Sequence, residues 1–206
     1  MEEISSDSMS SLASKICNQI NSVFSKSTNS SPLSVTVDEI SSAAARGGKM
    51  FVYGVGREGL MMKALCMRLA HLGLSAHCVG DMTTPPISSS DLLIASAGPG
   101  GFSTVDAICG VAKSKGARVL VLTAQPETGS SVKYASAVAY VAAQTMADDE
   151  GDELDGKAKG KRVILLPMGS VYEGALFVLF EMVIFKLAEV LGQDSDEIRS
   201  RHTNLE

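Results

Sequence analysis

The segment 50–72, MFVYGVGREGLMMKALCMRLAHL, restricts the possible folds more than any other stretch of the chain. It joins a short apolar run to a long helical pattern through a turn in which Gly54, Gly56 and Gly59 are spaced as G-x-G-x-x-G. Residues 51–55 read as a buried strand. Residues 60–72 read as a helix whose strongly polar members are Lys63, Arg68 and His71. Glycines at such a turn let the backbone fold back tightly and bring its N–H groups close to an anion at the start of the helix. The unit recurs: an apolar strand at 92–96 runs into a second glycine turn, AGPGGF, and then into a helix that ends near Lys115 and is closed by Gly116. Further strands are read at 75–79, 118–123 and 137–142. Strands that alternate with helices in this way predict an α/β fold with a parallel sheet covered on both faces.

At 206 residues and 45% hydrophobic, the chain is long enough for one domain with a full core. We expect a helical extension at 1–36 and a single domain at 37–206. With 18 basic against 23 acidic residues, the charge balance gives no footprint for nucleic acid and no patch for a membrane surface, so the expected partner is a small molecule. Cys17, Cys66, Cys78 and Cys109 show no C-x-x-C spacing, and His71, His77 and His202 do not complete a zinc pattern with them. Reduced thiols in a reducing compartment follow, with no metal and no cofactor expected. The apolar stretch at 174–185 is interrupted by Glu181 and falls short of the ~20 residues that a bilayer requires. Glu2, Glu3 and Asp7, with no apolar core beside them, argue against a targeting segment. The expectation is a soluble, cytoplasmic protein.

Along the chain, Met9, Leu12, Ile16, Ile20, Val23 and Phe24 recur at helical spacing. Thr36 followed by Glu39 has the form of a capping box for a second helix at 37–46. The loop GDMTTPP carries the hydroxyls of Thr83 and Thr84. Residues 146–161 hold a run of carboxylates followed by cations, with no apolar periodicity, and read as a mobile surface loop. Residues 163–166 and the turn Pro167-Met168-Gly169 then lead into a helix at 170–191 that is apolar nearly all round. Both this helix and the one at 60–72 have more apolar surface than one sheet can cover, which predicts a homo-oligomer, dimer or tetramer. Glu173 lies in the first turn of its helix, where a carboxylate also has a plain role against the helix dipole.

The segments GVGREG, MRLAHLGL, GDMTTPPI, DLLIASAG, LPMGSVYE and the closing RHTNLE resemble those of the SIS (sugar isomerase) domain family, and within it the 6-phospho-3-hexuloisomerases. The resemblance covers about 37–206. It implies a flavodoxin-like three-layer sandwich with a five-stranded parallel sheet, assembled as a dimer of dimers that binds a phosphosugar at the carboxyl ends of the strands. It also implies that Glu173 moves a proton between adjacent carbons of an open-chain ketose phosphate through an enediol-like intermediate. The substrates expected are 3-hexulose 6-phosphate and fructose 6-phosphate, or a related ketose phosphate. His202, from a neighbouring subunit, would assist at the oxygens. The positions matching the ligand-binding turns are Gly54, Gly56, Arg57, Glu58, Thr83, Thr84, Ser96, Gly98, Gly100, Ser103 and Thr104.

Two departures stand out. Glu58 replaces the serine usual in the family's first turn, and Ala97, Pro99 and Phe102 replace the hydroxyl residues of its second. A carboxylate near a phosphate repels it unless Arg57 neutralises the charge. Backbone N–H groups of the two glycine turns are left to hold the anion. A non-catalytic module that binds or senses a phosphosugar is therefore an alternative. A nicotinamide-binding fold, with Asp81 as the ribose contact, is a further one, but the second glycine turn and the later PMGxxxE segment have no place in it.

Overall fold

Five parallel strands form the centre of the computed structural model, which describes residues 8–28, 30–149 and 165–205. They are β1 (Met50–Tyr53), β2 (Ala76–Cys78), β3 (Leu92–Ser96), β4 (Arg118–Thr123) and β5 (Ala137–Tyr140), in the order β2-β1-β3-β4-β5. The helices are α1 (Met9–Phe24), α2 (Pro32–Ala45), α3 (Gly56–His71), α4 (Ser103–Ser114), the short α5 (Met146–Asp149), α6 (Ser170–Leu191) and α7 (Ser195–Ser200), with a 3-10 turn at Ser130–Tyr134. This is the three-layer α/β arrangement with a five-stranded sheet that the sequence predicts.

Side chains alternate across a strand, so each strand feeds two cores. Met50, Val52, Leu92, Ile94, Leu120 and Leu122 point to one face, where Ile40 of α2, Leu65 and Leu69 of α3, and Leu176, Leu179 and Val183 of α6 meet them. Phe51, Leu93, Ala95, Val119 and Val121 point to the other, against Val105, Cys109 and Ala112 of α4. Each such leucine or isoleucine, removed from water, contributes about 2 kcal/mol. Burial pushes the Cys109 thiol up to about 12, with Asp106 adding to the effect, so it remains a protonated apolar filler.

The layers are unequal, and this changes the reading of α3. Its second apolar side is covered by α6 of the same chain, and Arg68 meets Glu181 across that seam at 3.3 Å. What stays in solvent is a smaller set: Leu60 and Met67 on α3, and Phe177, Phe185 and Val190 on α6.

Several boundaries move. The second helix starts five residues before the predicted 37, because Pro32 sits in its first turn with its φ already helical and its missing N–H not needed there. Thr36 is thus inside the helix and donates to the Pro32 carbonyl at 2.7 Å, while Glu39 accepts two bonds from Arg118 at 2.5 and 2.7 Å instead of capping. The same helix runs across the expected division at 36–37. α1 sits on α6 so closely that a Cβ at Gly174 would lie 2.7 Å from Cδ1 of Ile20. The third helix also starts early, at Gly56 rather than 60. Its first turn thereby includes Arg57 and Glu58. The run at 146–161 opens with α5, and its remainder lies outside the described residues. Among the described residues, no helix is long and apolar enough to cross a membrane.

Candidate active site at the switch point of the sheet

In the order 2-1-3-4-5 the chain leaves β1 and β3 in opposite directions, and a crevice opens between their carboxyl ends. The turn after β1 becomes the first turn of α3. The turn after β3 runs through Ala97, Gly98, Pro99 and Gly100. Opposite them α6 begins, after Met168 (φ 56) and Gly169 (φ 81), two successive residues in the left-handed region. For a side chain such as Met168 that backbone costs about 1 to 2 kcal/mol, and it turns the Met168 carbonyl toward Arg57. Between these three elements lies a cavity of about 290 Å³, lined by residues that include Arg57, Glu58, Pro99, Phe102, Tyr172 and Glu173. A second cavity of about 410 Å³ lies among Phe24, Leu33, Tyr140 and Leu179; among the described residues no carboxyl or imidazole group lines it.

Among the described residues, Arg57 is the cation of the smaller cavity. It binds Glu173 at 3.0 Å and the Ser170 hydroxyl at 3.0 Å, tying the first turn of α3 to the first turn of α6. Burial pushes the Glu173 carboxyl above the usual range. Arg57 opposes that shift and Glu58 adds to it. A carboxylate that is part-buried yet held beside a guanidinium is positioned and still basic, which suits a proton-transfer group.

Glu58 does not face a ligand as an exposed rim charge, as its place in the turn suggests. It is buried, and its Oε2 accepts from the Ser96 hydroxyl at 2.5 Å and from the Gly98 N–H at 3.0 Å. Burial raises its pKa, and these two hydrogen bonds only partly offset the shift. Among the described residues, no cation lies within ion-pair distance of it. The Tyr172 phenol closes the group, fully buried, with its oxygen 3.4 Å from the Ser96 hydroxyl and its own pKa pushed well up by burial. Gly98 is required here: a Cβ would stand 2.9 Å from the Tyr172 ring and 3.0 Å from Oε1 of Glu58. The Gly98 amide, one of those expected to hold an anion, is therefore already bonded to an internal carboxyl group.

The remaining expected site residues divide. Gly56 lines the cavity, and Ser96 stands behind Glu58. Gly54 serves the packing of β1 on α3, since a Cβ at Gly59 would be 2.6 Å from the Gly54 carbonyl oxygen. Gly100 (φ 103) donates to Ala97 and does not line the cavity. Thr84 donates to the Cys78 carbonyl at 2.7 Å and Thr83 is exposed in the same loop; Ser103 and Thr104 are exposed at the start of α4; none of the four lines the cavity. His202 lies beyond α7, its ring 5.3 Å from that of His71 at the C-terminal end of α3. Glu58 is at the opposite end of that 16-residue helix, about 20 Å away at 1.5 Å per residue. Within one chain, His202 and Glu173 are not brought together.

Tyr172, Thr145, Met146 and Met168 were not foreseen. Tyr172 stands beside Glu173 in the PMGSVYE segment, and the one available signal was a phenol in an otherwise apolar helix, which needs a polar partner when buried.

No family model matches the chain. A 3-hexulose-6-phosphate isomerase of Bacillus subtilis is 35% identical over 169 residues, spanning 82% of this chain and 86% of its own length. One of Mycobacterium gastri is 36% identical over 159 residues, spanning 77% and 74%. A solved structure from Methanococcus jannaschii, reported as inferring a molecular function of 3-hexulose-6-phosphate isomerase, matches with a TM-score of 0.73 at 28% identity over 94% of this chain and 98% of that one. With about a third of the aligned residues identical over most of both chains, and with the sheet and switch-point crevice described above, this chain belongs to the 3-hexulose-6-phosphate isomerase family of SIS-fold proteins.

Proposed function

We propose that the protein is a sugar-phosphate isomerase that moves a carbonyl between adjacent carbons of an open-chain ketose phosphate, with 3-hexulose 6-phosphate and fructose 6-phosphate as its pair. The observation that carries this reading is Glu173, held by Arg57 on the wall of the switch-point cavity and partly withdrawn from water. A carboxylate so placed takes the proton from the carbon next to the carbonyl and returns it to the neighbouring carbon through an enediol. Among the described residues Arg57 is the one guanidinium on that wall, and it faces the substrate's developing oxyanion or its phosphate.

His202 enters this scheme only from a second copy of the chain. The apolar residues left in solvent on α3 and α6 support such an assembly. Light scattering at micromolar concentration is expected to give a dimer or tetramer; a stable monomer removes His202 from the site.

The test is conversion of 3-hexulose 6-phosphate to fructose 6-phosphate, measured beside solvent-tritium incorporation into the sugar. Turnover with incorporation is expected. Absence of both at millimolar substrate overturns the reading and favours a module that binds a phosphosugar without converting it. The engaged Gly98 amide and the apolar Ala97, Pro99 and Phe102 would then account for the loss.

A further inference from the structure

An enediol isomerisation needs two proton transfers, one at carbon and one at oxygen, and among the described residues Glu173 is one of two carboxyl groups on the cavity wall. We propose that Glu58 is the second catalytic group: its carboxylic acid delivers a proton to the substrate's carbonyl oxygen and recovers one from the neighbouring hydroxyl. The assignment rests on the isomerase reading above, and it is independent of any residue from a second copy.

The geometry carries it. Oε2 of Glu58 is held by the Ser96 hydroxyl and the Gly98 amide, while among the described residues Oε1 accepts no hydrogen bond. Oε1 lies over the bare face of Gly98, where a side chain would collide with it, and Glu58 shares the cavity wall with Pro99 and Glu173. The surroundings of the two carboxyl groups differ in the way that separates an acid from a base. Glu173 has a guanidinium at 3.0 Å, which favours its ionised form. Glu58 has around it Tyr172 and Glu173 from α6, a hydroxyl and an amide from the end of β3, and Arg57 beside it in the chain but turned to Glu173. Asp148 of α5 is engaged with Thr145. Burial with no ion-paired cation among the described residues favours the neutral carboxylic acid.

The proton balance closes. Glu173 takes the proton from C2 of the 3-ketose, and the C–H electron pair becomes the C2–C3 double bond. The C3 carbonyl pair takes the proton of Glu58 to give the enediol, leaving Glu58 as carboxylate. Glu58 then takes the proton of the C2 hydroxyl, whose O–H pair forms the new carbonyl, and the double-bond pair takes the proton from Glu173 at C3. Both carboxyl groups return to their starting states.

The test is Glu58→Gln, because an amide oxygen accepts the same bonds from Ser96 and Gly98 but delivers no proton. In the wild type, kcat/KM is expected to fall as pH rises through the titration of Glu58, since its acid form is the active one. In E58Q, kcat is expected to drop ~10² to 10⁴-fold with KM within about threefold, and that descending limb to vanish. An unchanged kcat overturns the assignment. So does a KM that falls at constant kcat, which would make Glu58 a plug in an anion site. His202→Ala is the contrast: a limb lost in H202A and kept in E58Q also overturns it. Should E58Q not fold, a wild-type profile with no descending limb below the titration of tyrosine serves the same purpose. A wild type that neither turns over nor incorporates tritium fells the isomerase reading itself, and that result is in hand before any variant is made.

Discussion

Two buried carboxyl groups stand at opposite ends of β3. Asp91, just before the strand, accepts from the Lys49 amide at 2.8 Å, the Ser88 amide at 2.7 Å and the Ser88 hydroxyl at 2.8 Å, with the Lys49 ammonium at 4.0 Å. Burial pushes its pKa up, but those donors and the ammonium outweigh burial, and the carboxyl sits below its usual range. Glu58, at the strand's far end, has two donors, both on one oxygen, and its pKa is raised. The amino end of the sheet satisfies its charge and gains stability from it. The carboxyl end, where the crevice opens, ties Glu173 to Arg57 and leaves Glu58 with no ion-pair partner among the described residues; a carboxyl group perturbed in this way is a candidate for proton transfer.

The largest effect that sharpens this contrast is expected from Glu173→Gln at the crevice. Turnover should fall ~10² to 10⁴-fold with KM and melting temperature little changed; an active E173Q breaks the claim that this end is the working one. At the other end, Asp91→Ala leaves the Lys49 and Ser88 amides without their partner, and urea unfolding should show a loss of about 3 kcal/mol with normal activity per folded molecule. Equal stability losses for Asp91→Ala and Glu58→Gln would erase the distinction.

The two groups should also oppose each other in pH. Glu58, with its folded pKa raised, contributes stability that is fully present below its unfolded pKa and is lost as pH rises through the folded one. Asp91, with its folded pKa lowered, contributes stability above its unfolded pKa that is lost as pH falls through the folded one. E58Q should flatten the slope of stability above pH 5 and Asp91→Asn the slope below pH 4, read from denaturant midpoints across pH. The smallest effect is at the cavity rim, where Pro99→Ser restores one hydroxyl. One added bond to a charged group, ~1.5 kcal/mol, is about tenfold in KM for the ketose phosphate with kcat unchanged.

Much of this fold was legible from local pattern. The run RVLVLT was read as the strand it forms at Arg118–Thr123, and the apolar residues recurring from Met9 to Phe24 as α1, because periodicity and burial are properties of adjacent residues. The position of Glu173 in the first turn of α6 also follows from local pattern, through the PMGSVYE segment. Pro32, which opens α2, is itself a local helix-start signal.

What the sequence by itself determined is the alternation of strands and helices, the glycine turns that end β1 and β3, and the residue types set at those turns. It did not determine which way Glu58 points. That depends on the Gly98 amide and the Ser96 hydroxyl, 40 and 38 residues away, being brought to it by the pairing of β1 with β3. Nor did it place His202, whose distance from Glu173 follows from the length of α3 and from α7 ending beside its far end. Charge, exposure and proton affinity at a site depend on neighbours remote in the chain, and only the tertiary structure chooses those neighbours.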